Sequence, residues 1–232
     1  MGWEKTSLLN LFVVCLTWQI LQVDAANILG LFTSHSQSHL IVHMSVAKIL
    51  AEEGHNVTVI ASNVPKVNSE KINLIVIPPT KEQEEMLNKE ISGMALKKNN
   101  LFTTIGNFFG SLALLIDMQF DVLKDARFTA LYENPDTQFD LVIAGYFVNT
   151  FQLGVAAKFN APLIISWSAA PMLLSDALVG NPSGVSFVPD FNIALKTGEK
   201  MNVLQRLKNL FSNLFLRFIK ELLDIRMRYF YR

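Results

Sequence analysis

Five short apolar runs constrain this chain more than any other feature. They are Asn27-Ile28-Leu29-Gly30-Leu31-Phe32, Asn56-Val57-Thr58-Val59-Ile60, Leu74-Ile75-Val76-Ile77, Phe139-Asp140-Leu141-Val142-Ile143-Ala144 and Leu163-Ile164-Ile165-Ser166-Trp167. A strand with one wet face alternates apolar and polar residues. Runs that are apolar almost throughout must be covered on both faces, as strands in a parallel sheet are. Helical stretches separate most of these runs, so the expected class is α/β, with a Rossmann-like parallel sheet between helical layers.

The helical stretches carry their own punctuation. Leu40, Met44, Ala47, Ile49 and Leu50 form a stripe that ends at Gly54, a residue suited to the left-handed turn after a helix. Thr80 and Gln83 have capping-box spacing and open a charged helix over residues 80–98. Residues 101–131 and 148–159 predict two further helices, and residues 171–202, with Asn181-Pro182-Ser183-Gly184, predict loop. Beyond them lies an amphipathic stretch, residues 203–232. Val203, Leu207, Leu210, Leu214, Phe218, Leu222 and Ile225 make its stripe, and seven Lys or Arg against Glu221 and Asp224 give it a net charge of +5. Such a helix can lie on an anionic membrane surface, but a narrow continuous stripe favours packing on the sheet or on a partner domain.

The N-terminus explains part of the high apolar content, 50% of 232 residues. Lys5, an apolar run from Leu8 to Leu21 and Val23-Asp24-Ala25 read as a signal peptide cleaved after Ala25. The expected product is a 207-residue secretory chain without the one cysteine, Cys15. A lone cysteine excludes a disulfide framework and any cysteine-ligated zinc. Twenty basic and 20 acidic residues exclude a general nucleic-acid binder, so no nucleic-acid partner is expected. The sequon Asn56-Val57-Thr58 opens a strand expected to be buried, which argues against its modification.

Chemistry converges on the segment after the first strand. His35, His39 and His43 recur every four residues, but no glutamate or second ligand cluster accompanies them, so no metal is expected. The chain has neither a glycine-rich phosphate loop nor a G-x-S-x-G elbow. His39 stands where the first helix begins, at the carboxyl edge of the sheet, which is where open α/β sheets place ligands. The positive helix end disfavours imidazolium there, leaving a neutral ring that can act as a general base.

These residues also carry a resemblance. The strand ending in Phe32, Ser38-His39, Ala51-Glu52-Glu53-Gly54-His55-Asn56-Val57-Thr58-Val59, Phe139-Asp140-Leu141-Val142 and Asn181-Pro182 with Phe187-Val188-Pro189 follow one another in order. In that combination the chain resembles the N-terminal half of animal UDP-glycosyltransferases, the UDP-glucuronosyltransferases, and insect members most. The resemblance implies the N-terminal lobe of a glycosyltransferase B fold, with residues 26–202 as acceptor-binding domain and residues 203–232 as its closing helix. It also implies that the UDP-sugar-binding domain and membrane anchor of the family are absent from this chain. His39 matches the family's catalytic base in an inverting transfer of glucuronate or glucose from UDP-sugar to a small lipophilic hydroxyl. No cofactor is implied, because UDP-sugar is the donor substrate. The family's acidic partner of the histidine falls on Gly145, a weakened dyad for which Tyr146 or Asn149 could supply only a hydrogen bond. Phe147, Trp167 and Met172 are the favoured acceptor-lining candidates, with Phe102, Phe108 and Phe109 as further apolar ones, and core packing is the competing role for each. The implied location is the endoplasmic reticulum lumen, with pairing to full-length relatives as an implied partnership. The other reading is a truncated, catalytically inactive form that binds lipophiles or pairs with relatives.

Overall fold

A computed structural model describes residues 24–96, 101–169, 173–181, 184–190, 193–196 and 198–229. The signal segment therefore lies outside the described residues except for Asp24 and Ala25, and Met172 lies outside them entirely. Five strands form one all-parallel sheet: β1 (Asn27–Phe32), β2 (Asn56–Ala61), β3 (Ile72–Val76), β4 (Leu141–Gly145) and β5 (Leu163–Ser166). Their order is β3-β2-β1-β4-β5. The chain runs outward from β1 to β3, then returns to the other side of β1 for β4. The switch point between β1 and β4 opens a crevice at the carboxyl edge.

The strand sequences alternate between two cores. On one side Ile28, Phe32, Val57, Val59 and Ile143 meet Leu40, Met44, Ala47 and Ala51 of helix α1 (Gln37–Glu52). On the other, Leu29, Leu31, Ile60 and Val142 meet Val122 and Phe128 of α3 (Leu101–Lys124) and α4 (Ala126–Glu133). The chain between β3 and α3 includes α2 (Lys81–Leu96). Its predicted capping box is formed: the Thr80 amide donates to Gln83 Oε1 at 3.0 Å and the Gln83 amide to Thr80 Oγ1 at 3.2 Å. Helix α1 ends at Gly54, whose φ of +98° is the conformation that favours glycine. The predicted stripe of α1 needs one correction, since Ile49 is 59% exposed.

Two further stretches depart from expectation. Residues 101–131 break at Asp125, whose side chain caps α4 by accepting from the Arg127 amide. The predicted helix over 148–159 is a 3-10 turn (Thr150–Leu153) followed by one turn of α-helix, α5 (Gly154–Lys158). Val148 precedes them with a φ of +55°, a strained conformation for a β-branched residue. After α6 (Leu173–Asp176) and irregular chain comes α7 (Val203–Tyr229), 27 residues long.

The stripe of α7 does not pack on the sheet, one of the two surfaces expected for it. Its buried residues are Asn209, Asn213, Ile219, Leu223 and Met227, and the last three join Ile116, Val148 and Phe151 in a third core cluster. The predicted stripe points away from the lobe: Val203 is 76% exposed and Phe218 60%, with Leu207, Leu210, Leu214, Leu222 and Ile225 exposed as well. The periodicity is as expected, but the face seated on the lobe is a second one, because the helix carries apolar residues on two sides. Asn209 decides between them. Its Nδ2 donates to the carbonyls of Val185 and Val188, and its Oδ1 accepts from the Asp190 amide, satisfying loop groups that an apolar side chain would leave unpaired.

Candidate functional site

The site is built on the β1–β4–β5 edge. Thr33 and Ser34 follow β1, and His39 is the third residue of α1. Its imidazole is partly buried, and burial lowers its pKa below the ordinary histidine range. A neutral ring is the expected state, and desolvation is a cause of it. The His39 ring lies 5.4 Å from that of Phe147, which in turn stacks on Trp167 at 6.5 Å and 13°. Tyr146 packs against the same indole at 5.6 Å. His39 of α1 and Phe147 and Trp167 beyond β4 and β5 thus form one row across the switch point. Phe109 lies elsewhere, against the third core cluster. The side chains of Phe102 and Phe108, like Met172, fall outside the described residues.

A buried polar cluster lies beneath the row. Thr33 Oγ1 donates to Gln152 Oε1 at 2.9 Å, and Asn149 Nδ2 donates to Gln119 Oε1 at 2.7 Å. Gln152 Nε2 donates to the Gly145 carbonyl at 3.0 Å, and Gln119 Nε2 to the Phe147 carbonyl at 3.2 Å. The cluster ties the loop after β1 to the loop after β4 and to α3. It was missed from sequence because its members lie 86 to 119 positions from Thr33. With Asn149 committed here and Tyr146 against Trp167, neither is among the partners found for the His39 ring. The neighbour found is Ser34, its Oγ 3.5 Å from His39 Nδ1.

Residue 145 offers no carboxylate, being the glycine that ends β4. Asp140, at the opposite end of that strand, accepts from the Asn27 amide at 2.7 Å and so anchors the start of β1. His43, one turn beyond His39, is 2% exposed and stacks on Phe32. Its Nδ1 pairs with Ser166 Oγ at 2.9 Å, while Nε2 has no partner. Burial, and secondarily the nearby His39, holds its pKa down to about 4. Among the described residues no three histidine, cysteine or acidic side chains are gathered as a metal site requires.

The family described as "UDP-glucoronosyl and UDP-glucosyl transferase" matches residues 29–232, and the chain belongs to it. It is 28% identical over 197 residues to UDP-glucosyltransferase 2 of Dactylopius coccus, a match covering 80% of this chain and 34% of the relative. UDP-glycosyltransferase UGT4 of the same insect is 26% identical over 196 residues, covering 82% and 36%. The chain thus spans about a third of the length of the curated relatives it matches. Among solved structures, TcCGT1 in complex with UDP covers 77% of this chain and 37% of its own, at 13% identity and a TM-score of 0.40. Glycyrrhiza uralensis UGT73P12, complexed with glycyrrhetinic acid 3-O-monoglucuronide, covers 75% and 34%, at 15% identity and a TM-score of 0.37.

Proposed function

We propose that this chain forms the acceptor-binding lobe of an inverting UDP-glycosyltransferase of glycosyltransferase B architecture, with His39 as its general base. The observation that carries the reading is the row His39–Phe147–Trp167, a neutral imidazole beside two aromatic faces at the switch point. In the tautomer whose Nδ1–H points at Ser34 Oγ, 3.5 Å away, His39 Nε2 keeps its lone pair. That lone pair takes the proton of an acceptor hydroxyl as its oxygen bonds to the anomeric carbon. The bond from that carbon to the diphosphate breaks on the opposite face, and UDP leaves with the electron pair. Phe147 and Trp167 hold an apolar acceptor by its flat faces, and Met172 is proposed as a further acceptor contact. UDP-sugar is the donor and is held mainly by residues outside this chain. No cofactor or metal is invoked. Positioning and proton removal are the contributions of this lobe.

The test is transfer from UDP-glucose or UDP-glucuronate to a phenolic acceptor by a protein containing this lobe and its family's UDP-sugar half. His39→Ala should cut kcat by about 10²–10⁴-fold. Unchanged turnover would reject His39 as base.

Secretory entry through residues 1–25 and a lumenal location are part of the proposal, as is surface contact of α7 with an anionic membrane. Among the described residues no helix is long and apolar enough to cross a membrane. The outward stripe nevertheless has cationic borders, Lys208 along one side and Arg206, Arg217 and Arg228 along the other, as an interfacial helix requires. Flotation with phosphatidylserine vesicles should carry the chain upward, and Leu214→Glu with Phe218→Glu should abolish this. Sedimentation as a dimer with no vesicle binding would replace the membrane by pairing between family members.

A further inference from the structure

Residue 145 lies at the carboxyl end of β4, the strand beside β1, and faces α1. A side chain there would begin at a Cβ, and that position is already taken. An ideal Cβ on Gly145 stands 2.9 Å from His43 Cδ2, 3.0 Å from His43 Nε2 and 3.2 Å from Phe32 Cδ1. The first distance is shorter than real Cβ contacts tolerate, the other two are tighter than most, and His43 has little freedom to withdraw. Its ring is held from one side by Ser166 and from the other by its stack on Phe32, at 5.2 Å. Gly145 has no left-handed backbone to explain its identity. In an ordinary strand conformation a glycine is a liability, since alanine lowers the entropy of the unfolded chain and adds a side chain to pack. The imidazole supplies the reason for it.

We propose that the His43 ring occupies the space a side chain at residue 145 would need, so that Gly145, His43 and Ser166 form one interdependent unit, and that Ser34 rather than an acid on β4 orients His39. Three strands and one helix thereby divide the work differently from a histidine–carboxylate pair. His43 is a positioning residue: it excludes the carboxylate and spaces α1 from β4, and does not touch substrate. Ser34 Oγ, 3.5 Å from His39 Nδ1 and accepting from the Ser36 amide at 3.3 Å, is the remaining group that can select the ring tautomer. A hydroxyl can orient the ring but carries no charge to stabilise imidazolium. Restoring an acid at residue 145 alone therefore does not strengthen the base. It first breaks the unit.

The coupling stands without reference to catalysis, and its test needs no turnover. Four proteins are compared by thermal unfolding: the chain, Gly145→Ala, His43→Ala, and the double variant. Gly145→Ala should lower Tm by about 5 °C in the presence of His43, the expected scale for overpacking a chain of this size. In the His43→Ala background the same change should leave Tm unchanged or raise it, because Phe32 can then relax into the vacated space. The same shift in both backgrounds would overturn the coupling. The positioning role is read separately, from the NMR titration midpoint of His39. Gly145→Asp with His43→Ala should raise that midpoint by about one pH unit or more, because an anion then faces the ring. Gly145→Asp alone should lower Tm. If that single variant keeps the original Tm and raises the His39 midpoint, the place is free and the proposal fails. A wild-type midpoint in a folded double variant would equally defeat it. The reading of His39 as base is tested by turnover, so neither failure can be mistaken for the other.

Discussion

The sheet and α7 solve opposite problems with similar residues. In the sheet, Leu29, Leu31, Val59 and Ile60 are inaccessible, and each has neighbours on a helical layer. In α7 Phe211, Phe215, Phe218 and most of the leucines face out, and a row of two asparagines with Ile219, Leu223 and Met227 faces in. Hydrophobicity alone does not decide which face of a helix is buried. The lobe beneath α7 presents the carbonyls of Val185 and Val188, and those demand donors. Leucine could not supply them, whereas Asn209 can. The outward stripe is then left to a surface that makes no such demand.

Truncations should separate the two regions most strongly. Leu31→Ala is expected to cost about 3–4 kcal/mol in urea unfolding, and Leu223→Ala on the inner face of α7 about 2–3. Phe218→Ala on the outer face should stay within about 0.5 kcal/mol. An equal cost at Phe218 and Leu223 would mean that α7 is seated by its stripe after all.

A pH titration sharpens the comparison inside the sheet layer, where His43 is buried. Its folded pKa of about 4 lies below the ordinary value of 6.5, so the unfolded chain binds the proton more readily. Stability is therefore full above pH 6.5 and declines as pH falls toward 4. The whole decline from this one ring is about 3 kcal/mol. His35, also lowered to about 4 by burial, adds to it. His43→Met should flatten the profile between pH 6.5 and 4. A profile identical to wild type would place His43 in solvent.

Asn209→Ala follows, at about 1–3 kcal/mol, since it strands two carbonyls and an amide under α7. Calorimetry should also show a normal cost for Thr80→Ala, about 1 kcal/mol, because only one reciprocal cap is lost. A larger loss there would tie α2 to the core more firmly than its capping box does.

How much of this was legible in the sequence follows the range of the forces involved. The apolar strand runs, Gly54 and the Thr80–Gln83 cap are patterns within a few residues, so pattern reading reaches them. His39 was legible through the edge on which it lies, and Phe147 and Trp167 through the loops that follow β4 and β5. Ser34 escaped notice as an ordinary loop serine. The Thr33–Gln119–Asn149–Gln152 cluster and the fit of His43 against Gly145 join positions some thirty to 120 residues apart, and a single sequence carries no local sign of them. The outward stripe of α7 escaped for a different reason. Two apolar faces share one periodicity, and only the polar demands of the docking loop choose between them.

The central claim is that an apolar acceptor lies against Phe147 and Trp167 beside His39. Residues 26–232 contain a single tryptophan, Trp167, so intrinsic fluorescence reports that site alone. Titration with a lipophilic phenol should quench it saturably, with Kd raised at least tenfold by Phe147→Ala and unmoved by Phe218→Ala. A linear, unsaturable response, or equal weakening by both substitutions, would contradict the account.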